Sequence, residues 1–422
     1  MIRPPDPDLA AGMEVYATEG PPCRATIRTR PDDFAVEESF GVNAVASEPR
    51  PDMVPLYRVE KQAADTIHVS QSMAAALKSR MAYAGLKDKR AVAVQYMTPT
   101  STRSERPPSI EGDGFRATLV GYLPRPISHS MIAGNRFRIT LRGCCPEIAQ
   151  RIDEVFTVSR SMRLPNFYGL QRFGTRDQIT HKVGKALVQK RPEEAVRILL
   201  CEPRSADDER TSEARRLLSE GDYDGGSAIL PERQDVEKRV ARKLARNPGE
   251  SVAALRAAPI AVRRLYVQAL QSYLFNRTLS LALKKGLDIS SPQPGDNWGE
   301  LSRDGLNLGK VHGVKEPIVG GAVPLIQLVG YAYRNYGSRF DECLEKVMAD
   351  EGIAPRDFFV EYMQEVSAEG GFRKPHLAVD KPTSEVTDDV ATIGFALPRG
   401  GYATVLLREI IKPSDPFVSG FA

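Results

Sequence analysis

Period-two runs cluster near both ends of this 422-residue chain, whereas the stretch between them repeats with a helical period. Segments 33–38 (DFAVEE), 55–60 (PLYRVE), 91–97 (AVAVQYM), 115–123 (FRATLVGYL) and 137–142 (FRITLR) alternate or are rich in β-branched residues, the pattern of strands with one face in a core. Tyr402 to Ile411 (YATVLLREII) reads as a further strand. Thr66 to Arg80 is helical in composition, and Asp65 or Thr66 can cap it by accepting a backbone N–H. From about 160 to 380 the helical pattern dominates. The length allows roughly two or three domains. One economical architecture is an α/β domain completed by the last strands, with a second domain inserted. Segments 43–54 and 99–114 read as Pro- and Ser-rich loops, and neither an internal repeat nor a Gly-rich phosphate loop occurs.

Charge adds a hint of partner. Lys plus Arg number 58 against 54 Asp plus Glu, a net charge of +4, and 41 of the 58 cations are Arg. Arg forks onto phosphates and stacks on bases, so the excess suits RNA handling; a GC-rich genome would produce it equally. Residues 202–226 carry eight acids and four bases and read as a solvated excursion, whereas residues 251–287 contain no acid and six bases. Within the latter, Pro259 suits a helix start, and Val262, Leu265, Tyr266, Ala269, Leu270, Tyr273 and Leu274 recur at helical spacing. Arg233 to Arg246 is a second basic helix candidate. Two such helices form either a phosphate-facing surface or an ordinary solvated face.

Several classes are excluded. No stretch approaches the roughly 18 apolar residues of a membrane span, and the first ten residues lack an apolar signal core, which points to a cytoplasmic protein. Five cysteines (23, 144, 145, 201, 343) without CxxC spacing argue against a disulfide framework or structural zinc and predict reduced thiols. Five scattered histidines offer no HxH or HExxH pair. Chemistry then falls to carboxylates and bases. The most unusual patch is Ala84-Gly85-Leu86-Lys87-Asp88-Lys89-Arg90, where cations flank one Asp and favour its ionised form, as a nucleophile or an RNA contact requires. A structural turn between two elements is the plain alternative.

At this patch the sequence resembles a known family. Tyr83 to Val92 (YAGLKDKRAV) is similar to the defining motif of the TruD family of tRNA pseudouridine synthases, and other stretches follow in the family's order: 31–38 (PDDFAVEE), Gly134-Asn135-Arg136-Phe137 (the GNxF element), Asn166 to Gly174 (NFYGLQRFG), Ser272 to Asn276 (SYLFN) and Phe395 to Glu409 (FALPRGGYATVLLRE). The resemblance covers about residues 26 to 412. It implies an α/β (α+β) fold: a pseudouridine synthase catalytic domain with a mixed sheet, 1–162 plus 377–422, and an inserted α/β domain, 163–376. It implies conversion of uridine to pseudouridine in tRNA, typically uridine-13, without metal or cofactor, with tRNA held between the domains; the setting expected is cytoplasmic, and the oligomeric state is open, with a monomer expected.

By the same resemblance Asp88 is the nucleophile, while Phe34, Asn135 and Tyr402 line the base. Such a pocket must hold the uracil out of its stack; an aromatic face can stack on it and an amide can hydrogen-bond it. Arg28 stands where many members have Lys as charge partner of the nucleophile; a guanidinium can pair bidentately with a carboxylate. Phe167, Tyr168 and Gln171 are expected to shape the interdomain junction, and Arg373 receives no role. The alternatives are a synthase with other or multiple RNA targets, or a non-catalytic RNA-binding protein on the same scaffold.

Overall fold

The computed structural model describes residues 2–41, 45–87, 91–174, 177–302, 307–312 and 321–421. Asp88 therefore lies outside the described residues. Nine strands form the main sheet: β1 (Phe34–Phe40), β2 (Val54–Lys61), β3 (Met81–Tyr83), β4 (Val92–Pro99), β5 (Ser109–Gly112), β6 (Phe115–Leu123), β7 (Ile132–Arg142), β8 (Asp380–Thr387) and β9 (Val390–Pro398). Their order is β8-β9-β7-β1-β4-β2-β6-β5, with β3 paired to β4. β1 and β4 run parallel and the other pairs antiparallel, so the sheet is mixed, as expected.

The helices used below are α1 (Thr66–Leu77), α2 (Ile148–Arg160), α3 (Asp235–Arg246), α4 (Ile260–Lys284), α5 (Arg339–Glu351) and α6 (Ala403–Ile411). Asp65 caps α1, its carboxylate accepting from His68 N at 2.8 Å. α1 packs Val69, Met73 and Leu77 on Tyr57, Val59 and Met97 of the sheet. On the same face, α2 and α6 cover Ile139, Leu141 and Ile393 with Ile152, Val155, Leu406 and Ile410. The face between these helix-covered patches is where polar side chains gather.

Four sequence expectations are corrected. Residues 403–411 form helix α6 and not a strand, with Tyr402 as its N-cap residue. Every residue of α6 is buried, Arg408 and Glu409 included, so it has no solvent-exposed face, and a buried run of this length reads as strand or helix alike. Residues 202–226 are not a plain solvated loop: they contribute to the helices Glu209–Ser219 and Tyr223–Ile229, and the buried Arg215 pairs with Asp207 at 2.6 Å. Cys23 and Cys145 are joined in a disulfide, not left reduced. Pairing of Thr26 with Arg142 and a bond from Cys145 N to Arg24 O bring their Cα atoms to 5.7 Å across 122 residues of sequence, a closeness that spacing alone does not reveal.

The fourth correction concerns the acid-free helix α4. Its basic residues are not a free remainder: most pair with carboxylates distant in sequence. Arg263 is buried and pairs with Glu365, which also takes Arg256 at 3.2 Å, while Arg264 donates to the Glu365 carbonyl at 2.8 Å. Arg277 binds Glu14 at 3.1 Å and Glu351 at 2.6 Å, and Lys284 pairs with Glu14. Burial raises the pKa of Glu351, but hydrogen bonds from Lys185, Tyr273 and Arg277 outweigh it and hold the carboxyl below its usual range. Arg263 is thereby removed from the surface, while Arg264 and Lys284 keep exposed side chains, as either a phosphate-facing or a solvated face would have.

Candidate active site

The sheet register assembles the site. On a strand, alternate residues share a face. Cross-strand partners place Lys61, Ala93, Val36, Phe137 and Phe395 in one row, and Glu38, Asn135 and Leu397 in the next. Phe34, Val36 and Glu38 follow one another at two-residue spacing, so an apolar strand face ends in a carboxylate that is 2% exposed. Lys61, also 2% exposed, lies on the same face.

Glu38 is held on both oxygens. Its Oε2 accepts from Tyr96 N at 3.0 Å, and its Oε1 pairs with Lys87 Nζ at 2.6 Å. Lys87 belongs to the loop that returns from β3 to the start of β4. Its N–H donates to Thr66 Oγ1 at 3.0 Å, and its carbonyl accepts from Lys61 Nζ at 3.3 Å. Thr66 in turn donates to Gln95 Oε1 at 3.1 Å, while Lys61 also donates to Ala64 O at 2.9 Å. Side chain, N–H and carbonyl of the residue before Asp88 are thus each fastened to the sheet face or to the first turn of α1.

Asn135 stands opposite Glu38, and its buried Oδ1 has no hydrogen-bond partner among the described residues. Leaving a buried amide oxygen unmatched costs roughly 1–3 kcal/mol, an expense that a substrate donor would remove. Gly134 explains the small residue before it: a Cβ there would lie 2.1 Å from Leu397 O, so only glycine lets β7 approach β9 at this point. Phe34 packs edge-on against Phe137 at 6.1 Å, and the Arg28 guanidinium lies over its ring at 4.3 Å. Arg28 also donates to Gly420 O at 2.9 Å, so the C-terminal segment helps orient it.

Tyr402 enters from the loop between β9 and α6. Its ring meets Tyr168 edge-on at 6.1 Å, and burial pushes its hydroxyl pKa up against the opposing pull of Arg172 and Arg373. Tyr168 is fixed by Asn276 of α4, whose Oδ1 accepts from Tyr168 N at 2.8 Å and whose Nδ2 donates to Tyr168 O at 3.0 Å. Gln171 donates to Phe421 O and accepts from Thr404 Oγ1, which ties Asn166–Gly174 to α6. Phe167 is fully buried beneath this junction.

Sequence reasoning passed over Glu38, Lys61 and Arg373. Arg373 stacks on Tyr168 at 4.0 Å, donates to Asn166 Oδ1 at 2.7 Å and to Gly400 O at 2.9 Å, and so clamps the loop carrying Tyr402. Nothing local in GGFRKPHL signals this. Glu38 was detectable, because the alternation of FAVEE places it on the core face with Phe34. The Asp88 loop, Phe34, Asn135 and Tyr402 come from four separate elements; the described members face the same central region of the sheet or its rim.

A family model described as tRNA pseudouridine synthase D (TruD) matches residues 10–410. Among curated relatives, probable tRNA pseudouridine synthases D from Pyrobaculum arsenaticum and Pyrobaculum neutrophilum are 34% and 32% identical, each with 100% of both chains covered. One from Archaeoglobus fulgidus is 31% identical over 95% of this chain and 98% of its own. The crystal structure of a putative tRNA pseudouridine synthase D from Methanosarcina mazei superposes with a TM-score of 0.79 at 25% identity, covering 98% of this chain and 99% of that one. The mixed sheet, the ordered motifs along it and a family match spanning nearly the whole length lead to one assignment: the chain belongs to the tRNA pseudouridine synthase D family.

Proposed function

We propose that this protein isomerises uridine to pseudouridine in tRNA, at uridine-13, with Asp88 as nucleophile. The observation that carries this reading is the fastening of Lys87. Its salt bridge to Glu38 holds the residue before Asp88 over the strand position that faces Asn135. In this reading the N1–C1′ bond of uridine breaks with help from the Asp88 carboxylate, the uracil turns, and C5–C1′ forms. The proton leaving C5 is matched by one gained at N1, so the reaction is redox-neutral and consumes no co-reactant.

The free uracil must be kept and turned without escaping. Asn135 offers its unmatched amide to the base edge, and Tyr402 and Phe34 supply apolar faces. Arg28 sits at the Phe34 end as a cation for the nucleophile. The catalytic domain comprises 1–162 and 377–422, the insertion 163–376, and tRNA lies across their junction, where Arg373 and Arg172 flank Tyr168; the setting is the cytoplasm. No helix among the described residues is long and apolar enough to cross a membrane. The test is to map pseudouridine in unmodified tRNA incubated with and without the protein. New pseudouridine at position 13 is the expected result. Pseudouridine elsewhere would redirect the target, and none in any RNA would leave a binding protein on this scaffold.

A further inference from the structure

The loop that carries the proposed nucleophile also carries an apolar side chain with no place in the core. Leu86 is 66% exposed, and of the large hydrophobic side chains described only Val418 is more so. It precedes Lys87, which is fastened through Glu38, Thr66 and Lys61. Gly85 on its other side is half-buried, but no described protein atom lies within 4 Å of where its Cβ would stand, so that side of the chain is open beside Leu86. Ile67, 51% exposed, follows Thr66 in the same hydrogen-bonded corner. Single exposed aliphatic side chains are common on protein surfaces, so what marks Leu86 is its place one residue before the fastened Lys87.

The surroundings indicate the chemistry of a partner. By sequence the stretch Leu86 to Arg90 carries Lys87, Lys89 and Arg90 against one Asp88, an excess of cations that suits a polyanion and not an apolar protein surface. A uridine can reach the sheet face only after leaving its stack, and that leaves a gap between neighbouring bases. Aliphatic wedges fill such gaps in other nucleic-acid complexes.

We propose that Leu86 is the wedge that occupies the stack vacated by the target uridine, a positioning role that rests on the function proposed above. A side chain adjoining the Lys87–Asp88 pair enters the gap as the base enters the pocket. The same loop then opens the RNA and presents the carboxylate.

The test compares single-turnover pseudouridine formation on folded tRNA and on a short single-stranded RNA containing the target uridine, for the parent, Leu86→Ala and Leu86→Met. Unstacking costs a few kcal/mol per step, so Leu86→Ala is expected to lose roughly tenfold more rate on folded tRNA than on the single strand. Leu86→Met keeps an apolar wedge and is expected to restore most of that difference. Equal losses on both RNAs, no loss on either, or failure of Met to rescue would overturn the wedge while leaving the isomerase reading standing. A parent inactive on both RNAs would instead remove that reading and the wedge with it.

Discussion

Two regions of this molecule collect charge, and they use it in opposite ways. In the helical middle, Arg256, Arg263, Arg277 and Lys284 pair with Glu365, Glu351 and Glu14, and Arg264 donates to the Glu365 carbonyl, so the cations are held by groups of the protein itself. On the sheet face, Glu38 and Lys87 also pair, but the pair fastens a loop, and next to it the Asn135 oxygen is left without a partner among the described residues. Sequence density of charge therefore says little about binding. Buried polar atoms without partners occur in the helical middle as well, at Gln178 and Arg215, so what marks the sheet face is that the Asn135 oxygen stands opposite Glu38, which holds Lys87.

The sharpest way to break this contrast is Glu38→Gln. The amide keeps an acceptor for Tyr96 N but leaves the Lys87 ammonium without its countercharge, and removing one member of a buried pair costs about 3–5 kcal/mol. Urea denaturation is expected to show a loss of that order, with pseudouridine formation falling in step. A loss well under about 1 kcal/mol would mean the Lys87 loop does not depend on Glu38.

The next effect comes from two neutral histidines, His181 beside α4 and His376 at the bridge to Pro165. Burial lowers their pKa values from 6.5 to about 3 and about 4. The folded state resists protonation that the unfolded chain accepts below 6.5. Their contribution is therefore complete above pH 6.5 and is lost as pH falls through 6.5 toward 4 and then 3. Thermal melting between pH 7 and 4 is expected to show that loss, and His376→Gln to flatten it. An unchanged profile in that variant would remove His376 from the explanation.

A smaller effect tests the pocket. Tyr402→Ala removes a stacking face worth roughly 1–3 kcal/mol per base, so turnover is expected to fall by about ten- to a hundredfold. Tyr402 also packs on Tyr168 and the core, so the melting temperature is expected to fall, and turnover is to be compared at a temperature where parent and variant are both folded. Normal turnover would contradict base stacking at this residue.

The smallest expected effect is the most informative about the helical middle. Free phosphate-binding arginines would each contribute nearly one unit to the salt slope of tRNA binding. Because Arg263 and Arg264 are engaged by Glu365, the double substitution to Ala is expected to leave the slope unchanged while lowering stability. A slope shallower by about two would return both residues to the RNA surface.

The sequence was readable where local rules decide the outcome. β1, β2, β4, β6 and β7 follow from alternation, α1 from its Asp65 cap, and α4 from its spacing after Pro259. The Asp88 motif, Phe34, Asn135 and Tyr402 are proposed from family resemblance, since each sits in a short contiguous pattern. The unread parts depend on distant partners. α6 is buried on every side, the Cys23–Cys145 bond spans 122 residues, and Glu365 lies about a hundred positions from the arginine it neutralises. Arg373 acquires its role only when folding brings it against Tyr168 and Gly400.

Asp88→Asn tests the central claim most directly. The amide is nearly isosteric but offers no ionised oxygen to the anomeric carbon, whereas tRNA affinity rests mainly on phosphate contacts elsewhere. Pseudouridine yield by mass spectrometry and tRNA affinity by filter binding are to be measured on one preparation whose melting curve matches the parent. The expected result is abolished pseudouridine formation with binding retained. Activity within about tenfold of the parent, a barrier change of only about 1.4 kcal/mol, would contradict it.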